Sequence, residues 1–116
     1  MGKMDQLEIE TTSRREGVVV SLRGSASMEL CERLNDALFG ACESHPKRLV
    51  IDLTDLRFIC SLGLGSIVAA YLRLQKAGGR LLLASPNEAI REMLGVTRLD
   101  TLLPVFDDVA TALSAH

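Results

Sequence analysis

The side chains of this sequence most able to do chemistry are three thiols, two imidazoles and a pair of carboxylates, Asp52 and Asp55. Cys31, Cys42 and Cys60 are odd in number and lack CxxC spacing, so they suggest neither a disulfide framework nor a zinc site and read as reduced thiols. Cys60 stands where a helix is about to begin, and a thiol there can have its pKa lowered and be open to oxidation or disulfide exchange. That makes Cys60 a candidate redox sensor, although no resolving cysteine lies near it in sequence and isolated cysteines are usually inert small hydrophobes. His45 and His116 fall in a loop and at the end of the chain, with no other ligand at metal-binding spacing, so no metal site is expected. Asp52 and Asp55 are accompanied by no histidine, no nucleophile–base pair and no complete phosphate loop, and Asp52 reads as a residue that caps or holds its loop. Gly63 and Gly65 lack the lysine of a Walker loop and read as allowing close packing or a tight turn. These patterns give no catalytic residue and call for no cofactor.

The elements that must position these residues belong to a chain of 116 residues, enough for one hydrophobic core, so a single domain over residues 1–116 is expected. With 47% hydrophobic and 24% charged residues the composition is that of a water-soluble globular protein. A net charge of −2 with scattered basic residues offers no stripe for a nucleic-acid backbone, and 3% aromatics with no Trp and a lone Tyr71 offer no stacking platform. No apolar run approaches the roughly 20 residues that span a bilayer, and Met1 to Gln6 lacks the basic-then-apolar order of a signal peptide. A cytoplasmic location without membrane insertion is therefore expected. No feature of the pattern fixes an oligomeric state.

Leu7 to Thr12 alternates with period two, the mark of a strand with one wet face, here an edge strand. A turn over Arg14 to Gly17 leads to the β-branched run Val18 to Arg23, which pairs back antiparallel and ends at Gly24. The period then changes: Leu30, Leu34, Ala37 and Ala41 share a helical face flanked by Cys31, Leu38 and Cys42, with Ser25 or Ser27 as N-cap and Glu29 in the first turn. Leu49-Val50-Ile51 reads as a strand buried on both faces, followed by a loop from Leu53 to Cys60. Leu64, Ile67, Val68, Tyr71 and Leu72 place a second amphipathic helix between about Ser61 and Gly78-Gly79. Leu81-Leu82-Leu83 is a further buried strand, and Ser85-Pro86-Asn87-Glu88 reads as a capping box with Pro at the first helical position, making Ala89 to Leu94 helical and Gly95 its stop. A short strand around Leu102 to Val105 and a last helix from Asp107 complete an α/β order: a mixed sheet, mostly parallel with an antiparallel N-terminal edge strand, flanked by about four helices.

The run Asp52-Leu53-Thr54-Asp55-Leu56-Arg57-Phe58-Ile59-Cys60-Ser61-Leu62-Gly63-Leu64-Gly65 resembles the signature loop and helix start of STAS domains of the anti-sigma factor antagonist type. In that family an Asp-Leu pair and an aromatic-aliphatic pair precede Asp-Ser-Ser-Gly-Leu-Gly. The likeness extends through Ala77-Gly78-Gly79-Arg80-Leu81, Ser85-Pro86 and Leu94-Gly95-Val96-Thr97-Arg98-Leu99, nearly the whole chain. The resemblance implies a bacterial regulator of transcription that docks onto an anti-sigma factor. The partner is also a serine protein kinase: it phosphorylates a hydroxyl at the start of the second helix, and the phosphorylated form no longer binds. By position in the motif the acceptor is Ser61, and the working surface comprises Ser25, Ser27, Asp52, Thr54, Cys60, Ser61, Leu62, Gly63 and Leu64. Other members of the family are subunits of lipid-transport machinery, which is the alternative role.

A serine at a helix tip sits beside unpaired backbone N–H groups that can stabilise the charge of about −1.5 to −2 that a phosphate brings. The plain alternative is that Ser61 only caps its helix. Cys60 stands where the family has Asp, Leu62 where it has a second hydroxyl, and Gly24-Ser25-Ala26-Ser27 where it commonly has Gly-Glu-Leu-Asp. Loss of these acids leaves the site uncharged and favours docking over switching.

Overall fold

The computed structural model describes residues 6–115, which leaves His116 and most of the Met1 to Gln6 start outside the described residues. Strands β1 (Leu7–Arg14) and β2 (Gly17–Ala26) form an antiparallel hairpin in register from Leu7 opposite Gly24 to Arg14 opposite Gly17. Helix α1 (Cys31–Cys42) crosses to β3 (Arg48–Ile59), α2 (Ser61–Lys76) to β4 (Arg80–Ala84), and α3 (Glu88–Val96) to β5 (Val105–Phe106), each new strand lying parallel to the last. Helix α4 (Val109–Leu113) follows. The sheet order is β1-β2-β3-β4-β5, so the mixed sheet with its antiparallel edge strand and flanking helices is the one the sequence pattern demands.

Alternation along the central strands divides the core between the two faces of the sheet. Val20, Leu22, Ile51 and Leu83 pack with Leu34 and Leu38 of α1, Ile67 and Leu74 of α2, and Ile90 and Leu94 of α3. On the opposite face Val19, Val50 and Leu82 pack with Ala112 and Leu113 of α4. Burial on both faces is why Leu49-Val50-Ile51 and Leu81-Leu82-Leu83 are continuous apolar runs; all six residues are at most 1% exposed.

Several local expectations are corrected. The stretch Leu53 to Ile59, expected as a loop, continues β3. Its buried residues Leu53, Leu56 and Ile59 recur every third position, because the pairing with β2 shifts register between Ser21 and Arg23 and again between Gly24 and Ser25. Strand β2 does not stop at Gly24 but passes through it to Ala26; Gly24 takes a φ of 102°, and a Cβ there would run into the carbonyl oxygen of Gln6. Ser25 therefore belongs to β2 and caps nothing, while Ser27 precedes a 3-10 turn over Met28–Leu30 without a side-chain capping bond, and α1 begins only at Cys31. The third helix runs on through Gly95 to Val96, and its N-cap is Asn87, with Pro86 outside the helix. The last strand lies at Val105–Phe106, and α4 is capped by Asp108, which accepts from the Thr111 N–H. Leu72, expected on the buried face of α2, is 50% exposed.

Candidate functional site

At its far end β3 stops pairing with β4, which reaches only to Asp52, and continues beside β2 alone until Ala26 lies opposite Ile59. The chain then turns into α2 at Cys60, whose backbone N–H donates to the Ala26 carbonyl at 2.9 Å. Cys60 adopts the extended conformation of an N-cap (φ −81°, ψ 170°), and its Sγ accepts from the Gly63 N–H at 3.4 Å. Cap duty thus falls to the thiol, and Ser61 is the first helical residue, exposed to solvent. The reading of Ser61 as the helix N-cap is corrected accordingly.

Around this turn the expected residues separate into surface and support. Leu62 is 55% exposed, and Ser25 and Ser27 are half-buried. Gly63 and Leu64 are buried and belong to the packing beneath the site rather than to its surface. Met28 and Phe58, neither of them among the expected docking residues, are 67% and 48% exposed. Met28, Phe58 and Leu62 each lie two residues from one end of the Cys60 to Ala26 hydrogen bond, so the chain segments that form the rim of this turn carry three exposed apolar residues. A signal for Phe58 existed in the sequence, since the run Leu56-Arg57-Phe58-Ile59 is too apolar for a solvated loop; Met28 had none.

Asp52 and Thr54 are not brought to this cluster. Asp52 accepts from the Thr54 N–H and Oγ1 at 3.1 and 2.6 Å and from Ser21 Oγ at 3.3 Å, so its carboxylate holds the neighbouring backbone of β3 and ties it to β2. Ser21, its partner in register, is five residues from Ala26, about 17 Å of extended strand. Asp55 faces Arg23 at 3.8 Å, and Arg23 also bonds Glu10 at 3.1 Å.

Cys31, unremarkable in sequence as one residue of a helical face, is the partner that sequence spacing hid. Its Sγ lies 2.9 Å from Cys60 Sγ and 3.2 Å from the Ser27 carbonyl oxygen. Burial works against ionisation of Cys60, but the Cys31 thiol and the backbone N–H groups of Gly63, Leu62 and Cys60 itself outweigh it and lower its pKa. Burial, then the hydrogen bond to Cys60 and the charge on it, push Cys31 up to about 11. The first turn of α2 contains no acidic side chain, so a charge placed on Ser61 meets backbone N–H groups without a carboxylate in that turn to oppose it. Among the described residues no helix is long and apolar enough to cross a membrane.

The family model of the STAS domain matches residues 7–112. A Thermotoga neapolitana protein named as a candidate anti-sigma factor antagonist is 33% identical over 66 residues, 57% of this chain, and the match spans only 58% of that protein's length. The anti-sigma F factor antagonist of Paenibacillus polymyxa is 25% identical over 109 residues, 93% of each protein. Among solved structures, an anti-sigma factor antagonist from Mycobacterium paratuberculosis superposes with a TM-score of 0.89 at 27% identity, covering 98% of this chain and 97% of that one. With the family model matched from the first strand to the last helix, and this sheet and its helices shared along nearly the whole length of a solved relative, the chain belongs to the STAS domain family.

Proposed function

We propose that this chain is a cytoplasmic anti-sigma factor antagonist, a regulatory module without catalysis of its own. It occupies an anti-sigma factor through the ends of β2 and β3 and the first turn of α2, and that partner, acting as a serine kinase, releases it by phosphorylating Ser61. The observation that carries this reading is the exposure of Ser61 at the first position of a 16-residue helix whose cap is already supplied by Cys60. Its hydroxyl is free for a kinase, and the positive end of the helix favours a dianion there. The same dianion would stand one residue from Leu62 and three from Phe58, on a surface that docks by burying apolar area. Covering it would require desolvating a charge that the surface itself does not pair. Relatives named as antagonists, matched along 93% and 97% of their own lengths, support the same role.

The test is calorimetric titration of the chain with an anti-sigma factor of the kinase type, encoded beside it. Wild type and Ser61→Ala should bind alike, Ser61→Asp should bind at least about tenfold more weakly, about 1.4 kcal/mol, and ATP should place one phosphate on the peptide that contains Ser61. Equal affinity of Ser61→Asp and wild type would remove the switch.

A further inference from the structure

Two of the three cysteines converge where two helices begin. Cys60 is the N-cap of α2 and Cys31 the first residue of α1; they are 29 positions apart in sequence, yet their sulfurs lie 2.9 Å apart, less than 1 Å beyond the roughly 2.05 Å of a disulfide bond. We propose that Cys31 and Cys60 are a dithiol pair that closes to a reversible disulfide on meeting a hydroperoxide, making the start of α2 a redox modification site beside Ser61. The inference stands on the two sulfurs and is independent of any phosphorylation.

The roles within the pair differ by environment. Cys60 is partly exposed, and its sulfur accepts the Gly63 N–H at the positive end of α2, which favours the thiolate that attacks an oxidant. Cys31 is buried, with its pKa raised to about 11, and waits as the thiol that resolves the oxidised sulfur. The thiolate of Cys60 attacks one peroxide oxygen: an S–O bond forms, the O–O bond breaks, and the departing hydroxide takes a proton to become water. The Cys31 sulfur then displaces the hydroxyl from the Cys60 sulfenic acid. The S–S bond forms, the S–O bond breaks, and the Cys31 proton leaves with the hydroxyl as a second water. With hydrogen peroxide as the hydroperoxide, two thiols and one peroxide give one disulfide and two waters, and a dithiol reverses the step. Such transient pairs are the form in which disulfides occur in reducing compartments. Cys42 is the internal control, because it is buried, its thiol points to the Ala70 carbonyl at 3.8 Å, and burial raises its pKa.

The experiment treats the reduced chain with hydrogen peroxide, blocks the remaining thiols by alkylation in denaturant, and maps the peptides without reductant. The expected result is a chain lighter by two hydrogens with one alkylated cysteine, Cys42, and the peptides of Cys31 and Cys60 joined within one molecule until a dithiol is added. Cys60 should be consumed at least about tenfold faster than Cys42. In Cys31→Ser the oxidation should stop at a sulfenic acid on Cys60 that dimedone traps, and Cys42→Ser should behave as wild type. Three intact thiols, a bond joining two chains, or stable oxygen addition at Cys60 in the wild type would overturn the proposal, and the wild-type map decides it even if Cys31→Ser fails to fold.

Discussion

A methyl group added at Gly63 would lie 2.7 Å from Cγ1 and 3.1 Å from Cδ1 of Ile59, and 3.5 Å from Cδ2 of Leu34, both of which are buried; one added at Gly65 would meet nothing within 4 Å. The two substitutions should therefore move stability in opposite directions. Gly63→Ala overpacks the junction of β3, α1 and α2 by more than its gain in helix propensity, a net loss of about 1–2 kcal/mol. Gly65→Ala sits exposed within the same helix and should gain about 0.5–1 kcal/mol. Urea midpoints with unchanged slopes would show the split, and a shift of the same sign for both would refute it. The sequence offered close packing or a tight turn for both glycines and had no means to separate them, because the atoms that fix Gly63 belong to a strand residue before the turn and to another helix. The same limit applies to Cys60 and Ser61. Helix onset near Ser61 was legible, but the choice of the thiol as cap depends on the path of β3 into the turn, where Cys60 keeps the extended conformation and Ser61 is already helical.

Between elements, the clearest case is the joint of α3 with β3. Asn87 accepts from the Ile90 N–H at 2.8 Å and donates through Nδ2 to the Leu56 carbonyl at 3.0 Å, so one side chain both caps the helix and fastens it to the neighbouring strand. Asn87→Ala should cost about 1–2 kcal/mol through loss of the cap, with the Leu56 carbonyl losing its partner as well. Asn87→Asp keeps the cap acceptor, loses the donor and should fall between the two. Denaturation midpoints give the order, and hydrogen exchange should accelerate first in Glu88–Val96; an unchanged midpoint for Asn87→Ala would show that the joint is held by packing alone. The sequence signalled a helix start here but named the wrong cap. Ser85 instead adopts a left-handed φ of 58° and donates to the Asp107 carbonyl at 2.8 Å, a contact with a segment 22 residues away. Strand β3 was half missed for a similar reason, since its bulged pairing replaces the alternation by which strands are recognised with burial at every third residue.

Across the whole molecule the order of strands and helices was legible, because hydrophobic periods distinguish the elements and parallel strands joined by right-handed crossovers leave few ways to stack them. The proposed docking surface was less so. Leu62 and Leu64 are two residues apart in α2 and thus about 200° around its axis, so the periodicity that buries Leu64 with Ile67 must turn Leu62 to solvent. Met28 and Phe58 join Leu62 only because β2 and β3 end together. If this rim is where a partner docks, replacing Phe58 and Leu62 together by Ser should weaken partner binding at least about tenfold, since burying each side chain is worth roughly 1.5–3 kcal/mol. The urea midpoint should change by no more than about 0.5 kcal/mol equivalent, as neither side chain is in the core. Leu72→Ser provides the contrast, being equally exposed but near the opposite end of α2. It should leave affinity unchanged. Equal losses from Leu72→Ser and from the double variant would mean that the partner grips the length of α2 rather than its beginning, and that the charge state of Ser61 could not govern the contact.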